Sequence, residues 1–119
     1  MSIYRTHSCG ELNKKNKNSI ATLSGWINKV RDHGNLLFVD LRDNYGITQC
    51  VIDKTNKFFP QFEKLNLETV IKVEGTVLER SKDTINKEIP TGEIELKIQN
   101  FNVLMDFLLF SIFVPFAKR

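Results

Sequence analysis

The sequence predicts an all-β fold, a five-stranded Greek-key barrel with one short helix between the third and fourth strands. Three observations carry that expectation. Between residues 20 and 52, three consecutive segments alternate apolar and polar side chains, and clusters of Asp, Asn and Gly separate them. A stretch with apolar residues three and four apart follows, Phe58, Phe59, Phe62 and Leu65. Two further alternating segments come after it, at residues 69–80 and 93–99. A period of two marks a strand with one buried face, and a period near 3.6 marks a helix.

In chain order, residues 3–12 read as an extended lead-in ending in a turn or a single helical turn. Residues 13–19, Asn-Lys-Lys-Asn-Lys-Asn-Ser, form a basic loop whose lysines either approach phosphates or are simply solvated. The first strand covers residues 20–31 and stops at Asp32-His33-Gly34-Asn35. That is turn chemistry, since Gly34 tolerates positive φ and Asp32 and Asn35 can bond their own backbone. The second strand, residues 36–42, ends at a second hairpin signal, Asp43-Asn44-Tyr45-Gly46, and the third runs over residues 47–52. An amphipathic helix enters at residues 53–56 and reaches Asn66, with Pro60 in its first turn where the missing N–H costs little.

The fourth strand spans residues 69–80, with Ile71, Val73 and Val77 inward. A polar loop over residues 81–92 is long enough to suggest a function. The fifth strand, residues 93–99, alternates strictly. Gly25 and Gly75, inside the first and fourth strands, mark bends or bulges of the kind that lets a small barrel close. Five strands, a helix between the third and fourth, and a long loop before the fifth are the order of the OB-fold. In that fold the second and third strands, with the first-to-second and fourth-to-fifth loops, form the face that binds oligonucleotides.

Strand period sorts the side chains of that face. With Leu23, Ile27, Leu37, Val39, Leu41, Cys50 and Ile52 in the core, Phe38, Asp40, Arg42 and Gln49 point the other way. Phe38 is the odd member. With Gln49 on the next strand and Arg31 at the end of the previous one, it makes either a base-binding platform or one more exposed aromatic. In the platform reading the ring stacks on a base, the amide reads a base edge, and the guanidinium holds phosphate or a base edge.

Composition sets limits. At 119 residues the chain is one domain, or one domain with a tail, and 41% hydrophobic with 26% charged residues excludes wholesale disorder. A net charge of +3, from 17 basic and 14 acidic residues, permits nucleic acid as a partner without demanding it. Two cysteines, Cys9 and Cys50, are too few for a disulfide scaffold and lack the CxxC spacing of zinc or redox sites. Residues 1–9 carry polar and charged side chains where a signal peptide needs an apolar stretch, so an intracellular, cytoplasmic protein is expected. No phosphate-cradling glycine loop, metal cluster or nucleophile with a matched base is present, and no catalytic residue is assigned.

Longer motifs go beyond the fold. The opening Arg5-Thr6-His7-x-Cys9-Gly10-Glu11-Leu12, then Gly25-Trp26, Arg31-Asp32-His33-Gly34, Phe38-Val39-Asp40-Leu41-Arg42-Asp43 and Gly46-Ile47-Thr48-Gln49 occur in one order. With Val73-Glu74-Gly75 and Thr91-Gly92-Glu93-Ile94-Glu95, they resemble the N-terminal anticodon-binding domain of bacterial-type aspartyl-tRNA synthetases over roughly residues 3–103. The Phe-x-x-Leu-Arg-Asp motif with its downstream Gln is shared with asparaginyl and lysyl enzymes; the opening and the Arg-Asp-His-Gly turn point to the aspartyl member. The resemblance implies that Phe38 stacks on the middle anticodon base, a uracil, and that Gln49 bonds its edge. It implies that Arg31 contacts anticodon bases or backbone, with Arg80, Asn86 and Glu95 completing the pocket. Without the resemblance, Glu95 reads as a solvated strand residue.

Two departures bear on fidelity. Lys29-Val30 stand where the family has arginines, and Thr84 stands at a family asparagine. His33 lies where histidine accompanies enzymes that charge both tRNA-Asp and tRNA-Asn; the alternative is a plain turn residue. The resemblance implies tRNA-Asp as partner, tRNA-Asn too in the non-discriminating form, a homodimer for the full-length enzyme, and no membrane partner. ATP and magnesium are implied only for a catalytic domain that this chain lacks, so the chain alone is expected to be inactive in aminoacylation. Residues 1–104 are expected to be the barrel domain, and residues 105–119 an apolar tail or altered hinge, a truncated product or a segment that packs on a partner. The apolar run is too short to span a bilayer. Beside the anticodon module, two functions remain open: a generic single-strand-binding OB protein, and a protein-interaction module using the tail.

Overall fold

The computed structural model describes residues 4–105 of the 119. Five strands are present, β1 (Ile20–His33), β2 (Leu36–Asp43), β3 (Gly46–Asp53), β4 (Val70–Glu79) and β5 (Ile94–Met105), with helix α1 (Phe59–Glu63) between β3 and β4. They close into a barrel in the order β1-β2-β3-β5-β4, antiparallel except for a short parallel contact of Cys50 and Val51 with Leu96 and Lys97. This is the expected OB-fold. The expectation for residues 105–119 lies outside the described residues, Met105 excepted.

Alternation builds the core. Leu23, Ile27, Leu37, Val39, Leu41, Cys50, Ile52, Ile71, Val73 and Val77 are all buried, as the period of two requires. β1 serves two neighbours, pairing with β4 from Ile20 to Trp26 and with β2 from Trp26 onward. Its handover lies beside Gly25, and an irregularity follows between Ile27 and Lys29. The β4–β5 ladder slips between Glu74 and Gly75, so Gln99 is an extra residue on β5. A Cβ at position 75 would sit 1.9 Å from the Lys97 carbonyl oxygen, which is why that kink needs glycine.

Two structural differences follow from these elements. The helix is five residues long rather than reaching Asn66: Phe59 and Phe62 are buried and Pro60 lies in the first turn, while Leu65 packs on the core from beyond the helix. β5 extends past Gln99 to Met105, because the bulge resets its alternation and the ladder with β4 continues through Phe101–Val73 and Val103–Ile71. Phe101 in turn packs edge-on against Phe62, 5.0 Å between ring centroids.

The lead-in is fixed at the β2–β3 turn. Cys9 N donates to Asp43 Oδ2 at 2.8 Å, Thr48 Oγ1 donates to the Cys9 carbonyl at 2.7 Å, and Cys9 and Leu12 are buried. Asp43 also accepts from Tyr45 N and Gly46 N, the hairpin chemistry expected of that cluster. Among the described residues no helix is long and apolar enough to cross a membrane.

Candidate nucleic-acid interface

The outer face of β1, β2 and β3 places its side chains by register. Arg31 stands directly opposite Phe38, and Asp40 directly opposite Gln49. The β1–β2 turn is tighter than the expected residues 32–35, since Asp32 and His33 still pair within the ladder, and Gly34 turns the chain at φ 74° with its N–H donated to Asp32 Oδ1 at 3.1 Å. It brings the His33 ring edge-on to Phe38, 5.1 Å between centroids and 84° between planes.

A chain of charge-assisted hydrogen bonds crosses the face. Arg31 grips Asp40 with both terminal nitrogens, Nη1 to Oδ2 at 3.1 Å and Nη2 to Oδ1 at 3.0 Å. Nη2 also donates to Gln49 Oε1 at 2.9 Å, and Gln49 Nε2 donates to Glu95 Oε1 at 2.9 Å. The amide of Gln49 is thereby held at both ends, carbonyl toward the cation and amino group toward the carboxylate. Each end retains capacity, since an amide oxygen has two lone pairs and an amide nitrogen two hydrogens.

Arg80 is 8% exposed and braces the opposite wall. Nε donates to the Ile94 carbonyl at 2.9 Å and Nη1 to the Thr84 carbonyl at 3.0 Å, tying the end of β4 to β5 and to the β4–β5 loop. Burial draws its pKa down, the carboxylates of Glu95 and Asp40 pull it back up, and the Arg31 cation lowers it again.

Together these walls enclose an open cleft of about 440 Å³. Arg31, His33, Phe38, Gln49, Arg80 and Glu95 all line it. Asn86 does not. Its Oδ1 accepts from Glu88 N at 2.9 Å and its backbone N donates to the Gly92 carbonyl at 3.0 Å, so it shapes the loop from within. A Cβ on Gly92 would lie 1.6 Å from the Asn86 carbonyl oxygen, and that close approach fixes the loop's return to β5. Glu79, Ser81 and Thr84 line the cleft without having been singled out as contacts. Glu79 ends β4, while Ser81 and Thr84 lie at the start of the long loop, and that position was the available signal for those two. Asp40 was placed on this face but given no role, although it holds Arg31. Among the described residues no group of three His, Cys, Asp or Glu side chains could hold a metal ion.

The cleft thus offers a half-buried aromatic ring beside a fixed amide, flanked by a guanidinium and a carboxylate, on the face where OB-folds take oligonucleotides. Such a set can stack a flat base and read its edge.

Comparison with known proteins agrees with this fold. The tRNA anti-codon family, an OB-fold nucleic acid binding domain, matches residues 21–104. The aspartate–tRNA(Asp/Asn) ligase of Pelagibacter ubique is 60% identical over 104 residues, covering 87% of this chain and 18% of that protein. The ligase of the same name from Paramagnetospirillum magneticum is 52% identical over 103 residues, covering 87% of this chain and 12% of its own length. The chain therefore spans less than a fifth of these two relatives. Among solved structures, asparaginyl-tRNA synthetase from Pyrococcus horikoshii, complexed with asparaginyl-adenylate, superposes with a TM-score of 0.73 at 25% identity, over 88% of this chain and 23% of that one.

Proposed function

The chain belongs to the tRNA anticodon-binding family of OB-fold nucleic acid binding domains, and on that premise we propose that it is the anticodon-reading module of a cytoplasmic aspartate–tRNA ligase. The observation that carries the reading is the convergence of six side chains on one cleft, with Phe38 beside an amide clamped between Arg31 and Glu95. Phe38 stacks on the middle anticodon base. Gln49 pairs with it edge to edge, its carbonyl accepting from uracil N3–H and its amino group donating to a uracil carbonyl. Cytosine presents an acceptor at N3, so the same amide meets it acceptor to acceptor. Leaving one buried polar group unpaired costs about 1–3 kcal/mol.

Arg31 and Glu95 take the neighbouring bases or backbone, Arg80 keeps the wall in place, and Asn86 acts through the loop rather than by contact. The ligase as a whole would pair two copies and use ATP and magnesium in a part of the protein outside this chain; the module supplies affinity and specificity. His33, in contact with Phe38, and two relatives named as Asp/Asn ligases support a reading in which both tRNA-Asp and tRNA-Asn are accepted.

The test is binding of short RNA stem-loops at fixed salt, with GUC, GCC and GUU in the loop, to wild type and Phe38→Ala. Preference for GUC over GCC of about tenfold or more, weakened by Phe38→Ala, is the expected result. Near-equal affinity for GUC and GUU is expected of the dual-specificity form. Equal binding of GUC and GCC would make the protein a generic single-strand binder.

A further inference from the structure

The base-reading cleft is poorly equipped to hold a polyanion. Its ionic lining is Arg31 and Arg80 against Glu79 and Glu95, two cations to two carboxylates, and Asp40, outside that lining, is paired with Arg31. Both guanidiniums are already committed, to Asp40 and Gln49 in one case and to backbone carbonyls in the other. Yet the phosphate backbone supplies much of the affinity of any nucleic-acid complex. Cations that meet it must stand at the rim.

The turn before β1 supplies them. Residues 14–16 form one turn of 3₁₀ helix, closed at its start by reciprocal bonds: Asn13 Oδ1 accepts from Lys15 N at 2.8 Å and Asn16 Oδ1 from Asn13 N at 2.9 Å. Its exit is tied to β4, Asn18 N donating to the Val77 carbonyl and Val77 N to the Ser19 carbonyl. That anchorage sets Lys14 and Lys17 beside Glu79, a residue of the cleft itself. Lys17 Nζ lies 3.4 Å from Glu79 Oε1, and Lys14 Nζ lies 3.8 Å from Glu79 Oε2 and 3.5 Å from Glu93 Oε2. Both lysine side chains remain about half exposed, at 49% and 51%. Long ion pairs in solvent are weak and easily exchanged.

We propose that Lys14 and Lys17 form a phosphate-binding rim, in which the phosphodiester backbone of an RNA whose base occupies the cleft displaces Glu79 and Glu93 as partner of the two ammonium groups. The proposal rests on the RNA-binding reading above and adds the path of the backbone, along the side of the cleft formed by the end of β4. The carboxylates hold the lysines at the rim until RNA arrives. An ammonium group is a point charge that reads no sequence, so its contribution is the same for every loop.

The experiment measures affinity of the 119-residue chain for the GUC and GCC stem-loops between about 50 and 200 mM salt. Lys14→Gln/Lys17→Gln should weaken both loops by the same factor and flatten the plot of log affinity against log salt by about 0.7 per lysine. Glu93→Gln, which leaves Lys14 only its longer pair with Glu79 and does not touch the cleft lining, should tighten both. An unchanged slope, with only a lower thermal midpoint in the double variant, would reduce the lysines to a brace and overturn the proposal while leaving base reading intact. A flattened slope with equal binding of the two loops would sustain the rim and remove the uracil reading. No binding of either loop by wild type would overturn both.

Discussion

Asp40 shows how one side chain sets the geometry of a cleft through its neighbours. Its two oxygens fix the fork of Arg31, whose second nitrogen then fixes the carbonyl of Gln49. Asp40→Asn should therefore weaken binding of the GUC loop and lower the GUC/GCC ratio together. In a double-mutant cycle with Arg31→Ala, the two changes should couple by about 0.5–3 kcal/mol, the range for residues in one network. Asn86→Ala predicts the opposite pattern: with its side chain bonded inside the loop, the ratio stays unchanged while stability falls by no more than about 1 kcal/mol. Legibility at this scale was uneven for a physical reason. Strand period tells which face a side chain takes, which suffices for Phe38 and Gln49. In a loop no such period exists, and the direction of Asn86 is settled by its local bond to Glu88 N.

Elements were legible where burial alternates without interruption. β2 and β4 declare themselves that way, as does β1 up to Ile27, while in β3 Cys50, Val51 and Ile52 are buried in succession. In both hairpins an Asp side chain accepts from a downstream glycine N–H. The far end of β5 was hidden because the extra residue at Gln99 shifts the phase, so 100–105 reads as a break when it is a continuation. The helix was overextended because Phe62 and Leu65 keep helical spacing although the helix has ended at Glu63. Gly75 carries the consequence: Gly75→Ala must push the Lys97 carbonyl away or unwind the kink. It should cost about 1–3 kcal/mol, read as a lower urea midpoint with the far-UV spectrum retained.

For the molecule as a whole, the barrel interior makes stability depend on alkaline pH. Burial pushes the thiols of both Cys9 and Cys50 far up, with nearby carboxylates adding to it, so both stay protonated in the folded chain. In the unfolded chain they ionise near the ordinary value of 9.0. The folded pKa is the higher one, so their contribution is complete below that value and is lost above it. The decline should approach about 1.4 kcal/mol per pH unit for each thiol. Urea unfolding at pH 8 and pH 10 should show it, and Cys50→Val should remove about half of this alkaline sensitivity. Topology at this scale followed from the sequence because five strands and an interposed helix leave few closures. Charge did not, since a net of +3 conceals a cleft whose lining balances two carboxylates against two guanidiniums.

The double anchorage of Gln49 also bears on the kinetics of recognition. A free glutamine samples many rotamers and loses about 1.5–2 kcal/mol of entropy when a ligand immobilises it. Here Arg31 and Glu95 have already immobilised it during folding. Under the proposed reading the amide would meet a base in a single orientation, with nothing left to freeze. Discrimination between uracil and cytosine should consequently appear in the dissociation rate, as a difference in residence time, while the association rate stays common to both and answers to ionic strength alone.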